Sequence, residues 1–162
     1  LVAILGDGSF RDTEGVLQKV LNFAKSKKIT REEIEAITGA PKTELINGFL
    51  SALVEKNVER GIEAVRSASS LNLDMKLFLK LIIQKLRMAI IMRYAPKLEE
   101  TMAGDLGKED LEFIKSLIKE DKAGMLRSHA LAVLLGAYQD IDRAFITELP
   151  LELALVEIVG EK

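Results

Sequence analysis

Residues 75–92 constrain the fold of this 162-residue chain more than any other segment. Phe78, Leu81, Ile82, Leu86, Ala89, Ile90 and Tyr94 recur at intervals of three and four, the period of one face of an α-helix. Asp74 is placed to cap the start of that helix, and Pro96 closes its end. Leu77, Leu79, Ile83, Met88, Ile91 and Met92 fall off the stripe, so the helix is apolar around most of its circumference. Such a helix has to be covered on several sides, and some of the cover can come from other subunits. It is not a membrane span: Lys76, Lys80, Gln84, Lys85 and Arg87 interrupt the ~20 nearly uncharged residues that a span requires.

The rest of the chain reads as helical too, and the expected fold class is an all-α bundle of about seven to eight helices. No stretch alternates apolar and polar residues for long enough to make a strand. Ser9 is an N-cap candidate for a first helix with Val16, Leu17, Val20, Leu21 and Ala24 on one face. Thr30 and Glu33 have the spacing of a capping box, opening a short helix that ends at Gly39. Beyond Pro41, Leu45, Ile46, Phe49, Leu50 and Leu53 mark a helix that stops near Asn57. Asn57 can cap a partner helix bearing Val58, Ile62 and Val65. Residues 99–107, with two glycines, read as a loop. A short helix with Leu111, Ile114, Leu117 and Ile118 follows. Residues 125–145 carry a stripe of Leu126, Ala130, Val133, Leu134, Ala137, Ile141 and Phe145, and Pro150 opens a last helix with Leu153, Ala154, Val156 and Ile158.

Candidates for chemistry are few. The absence of cysteine removes thiolate nucleophiles, thiolate zinc sites and disulfides, and agrees with a cytoplasmic address. A net charge of -2 supplies no global field for a polyanion. Leu1-Val2-Ala3-Ile4-Leu5 are apolar without a basic leader and read as the cut end of a longer protein. Gly6-Asp7-Gly8-Ser9 before a helix could receive an anion, but lacks the Gly-Lys-Ser/Thr ending of a phosphate loop. Arg11 stands in the first turn, where the helix dipole prefers an acid, so it is either solvated, paired with a neighbouring carboxylate, or waiting for an anion. His129 has no acid at helical ligand spacing and reads as structural. Asp140, Asp142 and Arg143 point in different directions on a helix; Lys25, Lys27 and Lys28 complement a helix C-terminus; Met88, Met92, Met102 and Met125 are filler.

Gly8-Ser9-Phe10-Arg11-Asp12, followed by Val16-Leu17-Gln18, resembles the motif that ends the lid of bacterial DNA polymerase III clamp-loader subunits of the gamma/tau family. Ile29-Thr30 with Ile34 and Thr38-Gly39, the hairpin over residues 43–70, Asn72-Leu73-Asp74, and Leu149-Pro150-Leu151-Glu152-Leu153-Ala154-Leu155 are also similar to that family, so the likeness runs along most of the chain. Thr13-Glu14-Gly15 and Lys19 depart from the family pattern, which bears on lid packing and nucleotide response.

The resemblance implies residues 1–27 as the end of an AAA+ lid and residues 28–162 as the helical collar that joins subunits into a ring. It implies that Arg11 is a sensor-2 residue directed at ATP in the full-length parent, with ATP and magnesium held by an upstream domain and no ATP hydrolysis by this fragment alone. Its partners would be other clamp-loader subunits through the collar, with the sliding clamp and DNA reached only through the parent complex and no membrane involved. The alternative is a helical nucleic-acid-binding domain using Thr30 to Leu53 as a helix-turn-helix, disfavoured by the low net charge.

Overall fold

The structure, a computed structural model, describes residues 1–6, 9–23, 29–98 and 106–160. Among these the only regular elements are helices, eight of them of eight residues or more, as the lack of alternation requires. They are the single turn α1 (Val2–Leu5), then α2 (Phe10–Phe23), α3 (Arg31–Thr38), α4 (Thr43–Val54), α5 (Val58–Ser70), α6 (Met75–Tyr94), α7 (Lys108–Glu120), α8 (Ser128–Asp140) and α9 (Leu149–Gly160). Short 3-10 turns cover Pro96–Leu98 and Ile141–Arg143. The chain divides into two compact units, Leu1–Lys42 and Thr43–Lys162.

In the first unit the expected caps are in place. Ser9 Oγ accepts the Asp12 amide at 3.2 Å and opens α2. Thr30 and Glu33 complete a reciprocal capping box at the start of α3, satisfying two backbone donors that the helix itself cannot. Gly39, at φ +72°, ends α3 in the left-handed conformation that glycine adopts without a Cβ penalty. The α2 stripe is only partly used. Val20 is buried and Val16 half-buried, whereas Leu17 and Leu21 are exposed; Ala24 lies outside the described residues.

The second unit is built on α6. Asn57 Oδ1 accepts the Arg60 amide to start α5, and Asp74 accepts the amides of Lys76 and Leu77 to start α6. Met75, Phe78, Leu79, Leu81, Ile82, Leu86, Ala89 and Met92 of α6 are buried. The enclosed arc therefore includes Leu79 and Met92, expected off the stripe, and omits Ile90, which is half-buried, and Tyr94, which is exposed. The wide apolar surface expected of this helix is thus largely covered within its own unit. Gly61 marks the closest approach elsewhere: a Cβ there would collide with the buried Leu155 side chain, so glycine lets α5 lie against α9.

Side-chain ties relate the directions of α6, α8 and α9. Lys76, at the start of α6, pairs with Asp142 just past the end of α8 and lies 5.1 Å from the Tyr138 ring centroid. Arg93, at the end of α6, pairs with the buried Asp121. Asp121 in turn accepts the amides of Met125 at 2.7 Å and Leu126 at 2.9 Å, just before α8. Helices α6 and α8 are therefore antiparallel. Glu148 accepts from Ser69 near the end of α5, which places the start of α9 at the α6 N-terminal end, so α8 and α9 are antiparallel as well. At mid-helix, buried Lys85 donates to Asp110 of α7 at 2.6 Å and to Asn47 of α4 at 2.8 Å.

Two sequence expectations give way here. Of the stripe over residues 125–145, Leu126, Ala130, Leu134, Ala137 and Ile141 are buried and Val133 half-buried, but α8 starts only at Ser128, a 3-10 turn takes over at Ile141, and Phe145 projects into solvent with its side chain fully exposed. On α9 the buried set is Leu151, Ala154, Leu155 and Ile158, whereas Leu153 and Val156 are exposed. The expected loop over residues 99–107 lies mostly outside the described residues, and α7 at 13 residues is longer than the short helix expected after it.

Removing one member of a buried ion pair leaves the other's desolvation uncompensated, a cost of about 3–5 kcal/mol. Asp110→Ala is therefore expected to lower unfolding free energy by about 3 kcal/mol, while the Lys85→Met/Asp110→Leu double variant loses far less. Urea denaturation of the two variants beside the parent checks this, and equal losses would remove the ion pair from the account.

Candidate functional site

Arg11 sits in the first turn of α2, exposed, and forms no salt bridge with any described residue. Asp12 and Glu14 beside it are also exposed. Among the described residues no carboxylate pairs with it. A guanidinium in that position opposes the helix dipole and gains most from an anion supplied from outside.

The other candidates do not converge on a site. Asp142 is taken by Lys76, while Asp140 and Arg143 are exposed and unconnected to it. His129 is half-buried on α8. Met92 and Met125 are buried and Met88 half-buried, as filler should be. Asp7, Gly8, Lys25, Lys27, Lys28 and Met102 lie outside the described residues. Among the described residues no group of three acidic or histidine side chains is disposed to hold a metal ion, and no helix is long and apolar enough to cross a membrane. Helix α4, the second helix of the helix-turn-helix alternative, contains no lysine or arginine and buries Ile46, Phe49, Leu50, Ala52, Leu53 and Val54. That composition is poor for gripping phosphates.

What the structure does present is surface. Between α8 and α9 runs an open groove of about 510 Å³, lined mainly by Ala132, Val133, Gly136, Ala137, Leu153 and Ala154. Asp140 and Glu157 also line it. Because the two helices are antiparallel, Asp140 stands at the end nearest Pro150, and Glu157 at the opposite end. Exposed Leu135, Leu149, Leu153 and Val156 extend the apolar character of these two helices, and Phe145 and Ile146 add to it on the segment between them. The sequence signal for this surface is the composition of α9, whose apolar residues occupy nearly every direction around the axis, more than one core can cover.

The segment carrying Phe145 is fastened at both sides. Asp142 holds Lys76, and the hydrogen bond to Asp142 raises the lysine pKa above its ordinary value. Glu148 accepts from Ser69 and from Thr147, and chiefly the Ser69 bond holds its carboxyl below the usual glutamate range. A second cleft, of about 460 Å³, lies between Asp74, Met75 and Lys76 and residues 141–147, and the Lys76–Asp142 pair spans it, so it is a fastening rather than a reaction site. No protein-family profile and no curated protein matches the chain.

The two fastenings have opposite pH limits. The Glu148 contribution is present above the ordinary glutamate pKa and lost as pH falls through its lowered value, whereas that of Lys76 is present below the ordinary lysine pKa and lost as pH rises through its raised value. Both therefore act at neutral pH. Ser69→Ala is expected to destabilise the protein at pH 7 and to have a progressively smaller effect in acid, once Glu148 is protonated in parent and variant alike. Unfolding free energies at pH 7 and below the glutamate range check it: a pH-independent difference would show that the Ser69 bond does not act through ionised Glu148.

Proposed function

We propose that this chain is the end of the lid and the collar of a bacterial DNA polymerase III clamp-loader subunit of the gamma/tau type, and that its role is to hold ATPase subunits together in the ring that loads the sliding clamp. The observation that carries this reading is the likeness that begins at Gly8-Ser9-Phe10-Arg11-Asp12 and continues, in the family's order, to the helix that starts at Leu149. Three features support it. The cap residues within that likeness, Ser9, Thr30 and Asp74, each accept backbone amides at the start of a helix. Arg11 is solvent-directed and carries no internal salt bridge among the described residues, as a residue meant for a phosphate on another domain would be. The apolar surface on α8 and α9 is the kind that other subunits cover.

On this reading the chain contributes to ATP only through Arg11. The phosphate loop and the magnesium-binding acids belong to the ATPase domain of the parent, and ATP supplies the energy for clamp opening there. Exposed Phe10, Leu17, Leu21 and Phe23 of the first unit would pack against the remainder of the lid. The address is the cytoplasm, with the other subunits.

Light scattering on this chain, alone and mixed with clamp-loader subunits, tests the proposal directly: mixed complexes are expected, and unchanged masses in every mixture would end it. In the full-length parent, Arg11→Ala should reduce ATP-dependent clamp loading on the order of 10-fold or more, through loss of a charged contact to phosphate, while leaving the fold and subunit assembly intact. Normal loading by that variant would remove Arg11 from the nucleotide site.

A further inference from the structure

The solvent side of α9 carries an ordered apolar stripe. Ile146, Leu149, Leu153 and Val156 are all exposed and follow one another at intervals of three, four and three, the spacing that keeps one seam of a helix turned toward a partner helix. The Leu149 amide bonds to the Ile146 carbonyl at 3.2 Å, so the turn before α9 leads straight into the stripe. From Leu149 to Val156 the seam runs about 10 Å along the axis, at 1.5 Å per residue. Leu151, Ala154, Leu155 and Ile158, the core residues of α9, lie on the other side, so covering the stripe disturbs no packing within the unit.

The charges that α8 and α9 bring beside the stripe are all of one sign. By the helical period Glu152 borders the stripe on one side and Glu157 on the other. Glu157 lines the groove toward α8, whose last residue, Asp140, lines it as well. Glu157 and Asp140 are exposed and Glu152 half-buried, and none of the three side chains pairs with a described residue. Neither α8 nor α9 contains a lysine or arginine. A second α9 laid along this one, in either direction, would bring acidic flanks against acidic flanks, and like charges so placed oppose association. The matching occupant carries cations where α9 carries acids.

We infer that the stripe on α9 is a docking site for a helix of a different protein, one with an apolar seam of the same spacing and with lysine or arginine on both flanks of that seam. Apolar contact supplies the attraction and the acids choose the partner: they favour a basic helix and reject a second α9. The site is built before the partner arrives. Phe145, fully exposed at the N-terminal end of the stripe, is held between the Lys76–Asp142 pair and the hydrogen bond from Ser69 to Glu148, so this aromatic anchor needs little further ordering on binding. This rests on the assembly reading above and adds to it the helix that receives the partner and the partner's chemistry.

The test uses the whole chain and two synthetic helices of about three heptads, with leucine along the seam and either lysine or glutamate on both flanks. The lysine peptide is expected to bind, less tightly at high salt, and the glutamate peptide about tenfold more weakly or not at all. The Leu153→Gln/Val156→Gln pair should weaken binding of the lysine peptide on the order of 100-fold, through loss of two apolar contacts. It should melt no lower than the parent, because both side chains are exposed in the free protein. Glu152→Lys/Glu157→Lys should invert the preference between the two peptides. No binding of the lysine peptide, equal binding of both peptides, or binding untouched by the glutamine pair would each overturn the inference. Self-association of the parent that the glutamine pair abolishes would also overturn it, since a second copy would then occupy the face. Mixed complexes with clamp-loader subunits that survive the glutamine pair would sink this site and leave the assembly reading standing; lysine-peptide binding lost in the glutamine pair, with no affinity for those subunits, would do the reverse.

Discussion

Helix α6 has five cations and no acid of its own, and the architecture of the second unit follows from where three of those cations find carboxylates. Lys76 reaches Asp142 beyond α8, Lys85 reaches Asp110 in α7, and Arg93 reaches Asp121 at the end of α7. Every one of these acids comes later in the chain than α6. The burial of Phe78, Leu79, Ile82, Leu86 and Ala89 supplies the non-directional attraction that gathers the other helices around α6. The ion pairs tie α7 and the two flanks of α8 to particular positions along α6. Apolar packing alone is tolerant of such choices, because a helix reversed end for end still offers an apolar face.

The central pair illustrates the difference between holding a fold together and specifying it. Desolvating Lys85 and Asp110 costs about as much as their attraction returns, so the pair is a weak source of net stability. Its effect is on selection. Lys85 also donates to Asn47, and a Phe113 ring centroid lies 5.3 Å from its ammonium group, so one cation fixes the register of α4, α6 and α7 together. Any slip of one helix would bury a charge without its partner. Asp121 acts similarly, because the carboxylate that holds Arg93 also receives two backbone amides before α8 and so positions the next helix.

Four of the eight longer helices have starts that were legible in the sequence because a cap is a local bond between neighbours: Ser9, Thr30 with Glu33, Asn57 and Asp74 each act within three residues of their own position. Which apolar residues lie inside was much less legible. Tyr94 and Phe145 fit their helical periods yet are exposed, the first because α6 is left uncovered on that side at its end, the second because α8 gives way to a 3-10 turn at Ile141 and the period shifts. The three interhelical ion pairs of α6 could not be read either, since each joins residues 25 or more apart and periodicity carries no information across that distance. The exposed cation at Arg11 was legible as an anomaly, because a charge set against a helix dipole is visible without knowing the fold.

The apolar surface left exposed does not lie where the sequence pattern places it. From sequence, α6 was the element with grease to spare, because it is apolar almost all round. In the folded unit α4, α5, α7 and α8 take up most of that circumference, and the residue left outside at its centre is a cation, Arg87. The surplus lies instead on α9, which must cover α5 and α8 with Leu151, Ala154, Leu155 and Ile158 and still presents Leu149, Leu153 and Val156 to water. No charged residue follows Glu152 on α9 until Glu157. An outer face of that composition lowers no free energy within one copy, and water is a poor environment for it. Leu153 and Val156 leave an apolar outer face on α9 beside the groove, which has an acid near each end.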